Sequence, residues 1–243
     1  TSTFGSGNVY FNNSFTLSGG TFNAPQGTAY FYNNFTHTGG VFDGGTGIVE
    51  FIGQYTYQTI DINSSAGSVE FNNFILNKSN ASYYLSISAG DHVVVLGTTT
   101  LKNIGYLQGV GSEATLEARG NVVIESTYNN TSAGNSLQLL FAGTEPQTVN
   151  IAKGTYLPRM IFAGASTTVY GPTSTAYLYS WETIAGNTQY VGQGGQLQMS
   201  SASLQSGGNL TTTNTNWYFS SSYTHSNGTS TFGSGNVYFN NSF

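Results

Sequence analysis

The first fifteen residues of the chain, Thr1 to Phe15 (TSTFGSGNVYFNNSF), return unchanged as Thr229 to Phe243, so the sequence begins again at position 229. A repeat of this kind marks a tandem array, and the expectation is one continuous body over residues 1–243 with a 228-residue unit. A shorter beat runs inside the long one. Val9-Tyr10-Phe11, Ala29-Tyr30-Phe31, Val49-Glu50-Phe51 and Val69-Glu70-Phe71 follow each other at 20-residue intervals, and Trp217-Tyr218-Phe219 and Val237-Tyr238-Phe239 keep the same spacing. Periods of this length point to a solenoid.

Each triplet alternates along the chain, which on a strand sends its outer residues to one face and its middle residue to the other. Phe11, Phe31, Phe51 and Phe71, with Phe219 and Phe239, are therefore predicted to form an inward column. Four residues on, Phe15, Phe35, Tyr55, Ile75, Tyr223 and Phe243 are predicted to form a second one. Gly7, Gly27, Gly47, Gly67 and Gly235 recur in phase and read as corners, where glycine permits a positive φ or a tight bend. Asn13, Asn33, Asn73 and Asn241 recur at the opposite corner, and asparagine tolerates the left-handed region.

Composition supports an all-β reading. Charged residues make up 6% of the chain, far below the roughly 25% of ordinary globular domains. Disorder does not fit 17 Tyr and 16 Phe, and 32 Gly with many Thr and Val favour strands and turns over helix. Five scattered basic residues make no stripe for nucleic acid. There is no cysteine to form disulfides and no apolar run of the roughly 18 residues a membrane helix needs, so insertion of this segment in a membrane is not expected. A transmembrane β-barrel of paired ten-residue strands would give a similar beat, but a barrel closes at a set strand number and the repeated ends invite continuation.

The predicted fold is a single-stranded parallel β-helix, or β-solenoid, of about 20 residues per coil. Stacking coils in register explains the low charge, because like charges spaced at about 4.8 Å along a ladder repel. Glu50 and Glu70 are predicted to share one outward column as solvated carboxylates. Between Phe71 and Phe219 the period loosens, with strand centres placed near Val95, Ala118, Phe141, Phe162, Ser180 and Met199. That count gives roughly eleven coils, and at about 4.8 Å per coil a unit rise of about 53 Å.

Three stretches align without gaps: Phe15 to Phe31, Phe35 to Phe51 and Tyr223 to Phe239. With Gln58-Thr59-Ile60 and Gln147-Thr148-Val149, they resemble the repeats of large secreted microbial β-helix surface proteins and filamentous-haemagglutinin-like adhesins. The resemblance covers the N-terminal third and the closing stretch from Trp217 to Phe243. It implies an extracellular parallel β-solenoid displayed at the cell surface or assembled into a fibre, and it carries no catalytic residues across.

No constellation of catalytic, cofactor-binding or metal-binding residues stands out, so no enzyme activity, cofactor or metal is expected. His37 and His225 occupy equivalent positions where Leu17 stands in another repeat, and no cysteine or paired carboxylate accompanies them to hold zinc. Ten Asn-x-Ser/Thr sequons, at Asn12, Asn34, Asn63, Asn77, Asn80, Asn129, Asn130, Asn209, Asn227 and Asn240, are candidate glycosylation acceptors. The functional expectation is a structural repeat of an extracellular filament or cell-surface stalk whose partners are further copies of itself. A surface adhesin binding glycans on the same fold is the alternative.

Overall fold

A computed structural model describes residues 1–53, 57–63, 67–78, 83–102, 106–110, 113–125, 136–152 and 156–242. Tyr55, Phe243, Asn80, Asn129 and Asn130 lie outside the described residues. The chain is an all-β parallel solenoid of about ten turns, with a typical turn of about 21 residues and no helix among the described residues. Every described strand pairing is parallel, the reverse of a meandering barrel.

Three faces recur along the axis. In the middle of the chain a turn passes through face I (Gln58–Ile62, Tyr84–Ile87, Tyr106–Gly109), then face II (Ser68–Phe71, His92–Val95, Ala114–Ala118), then face III (Asn73–Asn77, Thr99–Lys102, Val122–Ile124). Face III is one sheet of eleven strands, and face II one of eight. Face I is carried by a six-stranded sheet at first and, from Tyr156–Leu157 onwards, by a five-stranded sheet that takes the same place in the cycle. In the early turns one long strand serves faces I and II together. Phe15–Asn23 and Phe35–Asp43 bend at Gly20 and Gly40, both at positive φ, and Phe42 then packs beside Phe71 of face II at 5.5 Å.

Columns of inward residues form the core. On face III, Val9, Ala29, Val49, Phe74, Thr99, Val122, Val149, Val169, Tyr190 and Thr212 stand one above another without a break. Beside it rise Phe11, Phe31, Phe51, Leu76, Leu101, Ile124 and Ile151. The rings of Phe11 and Phe31 stack at 4.8 Å and those of Phe31 and Phe51 at 5.2 Å, as identical side chains on successive rungs should. On face I, Phe15 stacks on Phe35 at 5.3 Å, and Phe219 on Phe239 at 5.2 Å.

Several expectations need correction. Phe71 does not continue the Phe11 column. It stands on face II under Val95, and Leu76 takes the rung above Phe51, because this turn runs longer than the 20-residue beat. Ile75 is half-buried and faces outward opposite Glu50, so it belongs to no inward column, and the rung above Phe35 is filled by Ile60. Phe219 and Phe239 are inward, but on face I above Met199. Tyr223 is buried on face II. Val95, Ala118, Phe141 and Phe162 are true rungs of one column, whose next member is Thr183, while Ser180 lies between strands. The count of turns is thus about ten rather than eleven.

The corner residues work differently from the expectation too. Among Gly7, Gly27, Gly47, Gly67 and Gly235 only Gly67 has a positive φ. The stronger constraint is close approach between turns. A Cβ on Gly47 would overlap the carbonyl oxygens of Pro25 and Gly27 in the turn below. None of Asn13, Asn33, Asn73 or Asn241 is left-handed. The amides of Asn73 and Asn241 serve as hydrogen-bonding rungs instead: Asn73 Oδ1 accepts from Thr98 N at 2.9 Å, and Asn241 Nδ2 donates to Ser220 O at 3.0 Å. Asn8, Asn34, Asn121 and Asn216 likewise accept a backbone N–H from the following turn at 2.9–3.0 Å.

Candidate functional site

Charge is concentrated on the outer side of face II. Its outward column reads Glu70, Val94, Glu117, Leu140, Ile161, Glu182. Glu117 is nearly covered, with His92 Nε2 at 2.7 Å from its Oε2 and Arg119 Nε donating to its Oε1 at 2.5 Å. Arg119 also approaches Glu70 at 4.0 Å. Arg159 grips Glu182 with two parallel hydrogen bonds of 2.7 Å, the bidentate geometry in which guanidinium and carboxylate are best matched. Glu50 and Glu70 therefore share no column: Glu50 lies on face III, where it accepts from Asn77 Nδ2 at 3.0 Å. Each of Glu117 and Glu182 has its own arginine: Arg119, two residues on, for Glu117, and Arg159, one turn below, for Glu182, so that the second pair braces neighbouring turns. Sequence reasoning missed the pairs that span turns, since His92 and Glu117, Arg119 and Glu70, and Arg159 and Glu182 are separated by whole turns of unequal length; Glu117 and Arg119, two residues apart, could have been found from strand alternation.

A second polar cluster lies at the joint between the regular early turns and the longer ones. Gln58 is fully buried and its amide donates to Phe31 O at 2.8 Å and Asn33 O at 3.0 Å. Lys78 Nζ donates to Gln58 Oε1, and burial lowers the Lys78 pKa to about 8. Gln147 repeats the device on face III, donating to Ala118 O at 2.9 Å and Gly120 O at 2.7 Å while its Oε1 accepts from Gly143 N at 2.8 Å. The two Gln-Thr-Ile/Val tripeptides in the sequence thus mark one structural part, a buried amide that satisfies two carbonyls of the turn below. Close by, Asp91 Oδ2 accepts from Ile62 N at 2.6 Å; burial, together with nearby Asp61, raises its pKa to about 6 against the pull of that hydrogen bond.

The other two histidines take a local role. His37 is buried between Leu17 and Ile62 in the face I column, and His225 is exposed, yet each points Nε2 at a glycine carbonyl three residues on, Gly40 O at 3.3 Å and Gly228 O at 3.1 Å. Among the described residues no three His, Asp or Glu side chains converge as a metal site would require. Of the described sequons, Asn12, Asn63, Asn209, Asn227 and Asn240 are exposed. Asn34 and Asn77 are half-buried, with Asn34 Oδ1 accepting from Thr59 N and Asn77 bonded to Glu50.

The axial ends carry exposed aromatics on their strands. Tyr10 is 56% exposed, Tyr238 40% and Phe239 38%, whereas Phe31, on the rung next to Phe11, is 1% exposed. Outward tyrosines also form ladders: Tyr10 on Tyr30 at 4.8 Å, Tyr156 on Tyr177 at 4.6 Å and Tyr218 on Tyr238 at 4.4 Å, all nearly parallel. On face III a shallow uncharged groove is lined by Ser166, Thr168, Asn187, Gln189, Asn209 and Thr211. The fold and these features define a parallel β-solenoid with open stacking edges. No protein-family model, no curated protein and no solved structure matches the chain.

Proposed function

We propose that the chain is a structural repeat unit of an extracellular filament or cell-surface stalk, in which strand stacking continues from one 228-residue unit into the next. One observation carries this reading. The identical segments Thr1–Phe15 and Thr229–Phe243 lie at opposite ends of the stack, and the described residues of each keep the same inward and outward positions, Tyr10 and Tyr238 out, Phe11 and Phe239 in. Each end leaves strand edges and aromatic rings that a further turn of the same sequence would cover. The extracellular placement and the likeness to secreted microbial adhesins rest on the sequence resemblance; exposed sequons would let glycans shield such a rod where a glycosylation system reaches it. Catalysis is not part of this reading.

The test is a protein of one, two and four tandem units observed by electron microscopy. Rods should lengthen by about 49 Å per unit, ten and a quarter turns at roughly 4.8 Å each. Beads separated by gaps would sink the proposal. The face III groove favours a second reading, an adhesin that takes a neutral glycan along the axis through uncharged amides and hydroxyls. A glycan array with no binder above background would remove it.

A further inference from the structure

We infer that successive units are set about one face round from each other, so that the array is a screw with its own pitch and not a stack of units facing the same way. This rests on the tandem reading above and specifies the interface between copies.

From Val9 the face III rungs climb without interruption to Thr212, nine turns on. The next pairing, Thr211 with Thr231, puts Phe232 on the rung above Thr212. Ten turns therefore carry the chain from Val9 to Phe232, whereas the sequence does not return to its Val9 until Val237. The chain runs five positions past the start of a turn before its sequence begins again, about a quarter of a 20-residue turn. The residue standing over Val9 is thus Phe232, the equivalent of Phe4.

The sheets give the same answer independently. Ser2–Thr3 pairs with Phe22 and Asn23, on the face II arm of the first long strand, and Val9–Phe11 lies on face III. Their copies have moved on: Thr229–Thr231 lies on face III, and Val237–Phe239 on face I. The segment keeps its environment in both settings. Phe4 packs on Phe22 at 5.4 Å and Phe232 on Trp217 at 5.6 Å; Val9 and Val237 both face in. Each face offers the same alternation and, at the two ends, the same 20-residue step, so the segment seats on either face with its inward residues still inward.

The second copy is then seated in a defined way. The outward ladder of face I, Tyr156, Tyr177, Gln198, Tyr218 and Tyr238, runs across the junction, because Tyr238 is Tyr10 of the following copy and Tyr30 of that copy takes the next rung. The charged cluster of face II appears on a different side of the rod in each unit, returning after three or four copies. No single stripe then lines the fibre, which disfavours lateral bundling into flat sheets.

Side-chain-resolved electron cryomicroscopy of a four-unit protein tests this, with columns followed residue by residue so that gradual twist between turns does not enter. The expected density places Phe4 of the second copy above Val9 of the first, and Tyr10 then Tyr30 of the second copy above Tyr218 of the first. A continuous rod with Val9 above Val9 overturns the screw while leaving the filament reading intact. A rod broken at every unit boundary overturns both.

Discussion

The first three turns and the four that follow solve the same packing problem with different materials. Early on, the face III column steps from Val9 to Ala29 to Val49 on the 20-residue beat of the sequence, and the interior is phenylalanine: Phe31, Phe35, Phe42 and Phe51 are all buried. Later the steps lengthen and become unequal, running from Val49 to Phe74, Thr99, Val122 and Val149, and the neighbouring column continues as Leu76, Leu101, Ile124 and Ile151. Ring stacking demands that a ring meet its copy at one height and tilt, as the Phe31–Phe51 interplanar angle of 19° shows. Equal turns supply that repetition. Unequal turns keep register within each strand but carry surplus residues at the corners, and branched aliphatic side chains fill the space without an orientation requirement. The backbone at these corners is then satisfied by buried polar side chains such as Gln58, Asp91 and Gln147, which bond to backbone groups of a neighbouring turn, whereas the buried His37 of the early turns reaches only Gly40 O in its own strand.

The sharpest way to break the comparison is to place a charge in the aromatic stack. Phe51→Asp should cost more than about 5 kcal/mol, since it removes a buried ring and leaves a carboxylate with no cation nearby. Phe11→Asp, on a half-buried rung at the end, should cost much less. Urea unfolding of the two variants side by side measures this, and equal losses would show that burial along the stack does not grade its stability.

Next in size is Gln58→Leu. It keeps the volume but leaves Phe31 O, Asn33 O and Lys78 Nζ to lose a partner, for roughly 2–4 kcal/mol. Hydrogen exchange should localise the loosening to the join between the early and the longer turns. An unchanged exchange pattern there would mean that the amide is a passenger.

These two residues also show what can be read from the sequence. Phe51 is legible because in equal turns the period of the chain is the period of the structure. Gln58 is visible as part of a recurring tripeptide, but its role depends on carbonyls 25 and 27 residues earlier. Extending the 20-residue beat through this turn puts Ile75 in the core and Phe71 in the wrong column: Val69-Glu70-Phe71 looks like the preceding triplets, yet the chain reaches it on a different face. Side-chain alternation survives such an error, since it is local. Which strand sits over which does not, since it sums every insertion below it. The face II ion pairs that span turns, such as Arg159 with Glu182, are hidden for the same reason.

A smaller effect tests the corners of the early turns. Gly47→Ala should cost about 1–3 kcal/mol, because the new methyl meets two backbone carbonyls that cannot rotate away. Gly7→Ala meets nothing within 4 Å and should be nearly neutral in a single unit. In a two-unit protein the second copy's Gly7 corresponds to Gly235, where a Cβ would overlap Thr215 O, so the same substitution there should destabilise. Thermal melts of the single-unit and two-unit variants separate the two cases.

The smallest expected effect belongs to the longer turns and is read in pH. Asp91 has a folded pKa of about 6 against an ordinary 3.8, so between those values the folded chain holds a proton that the unfolded chain has released. Its contribution to stability is complete below about pH 4 and is lost as pH rises through about 6; above that the ionised carboxylate is a burden on the fold. Asp91→Asn stays neutral throughout and can still accept from Ile62 N. The variant should therefore show a flatter stability profile between about pH 4 and 6 and gain on the order of 1 kcal/mol over the parent at pH 7. Stability that rose with pH over this interval in the parent, with the rise abolished in the variant, would mean that the hydrogen bond from Ile62 outweighs burial at this corner. The long turns would then be held by charge at a point where the early turns, with no buried acid among their described residues, use ring stacking and neutral amide hydrogen bonds.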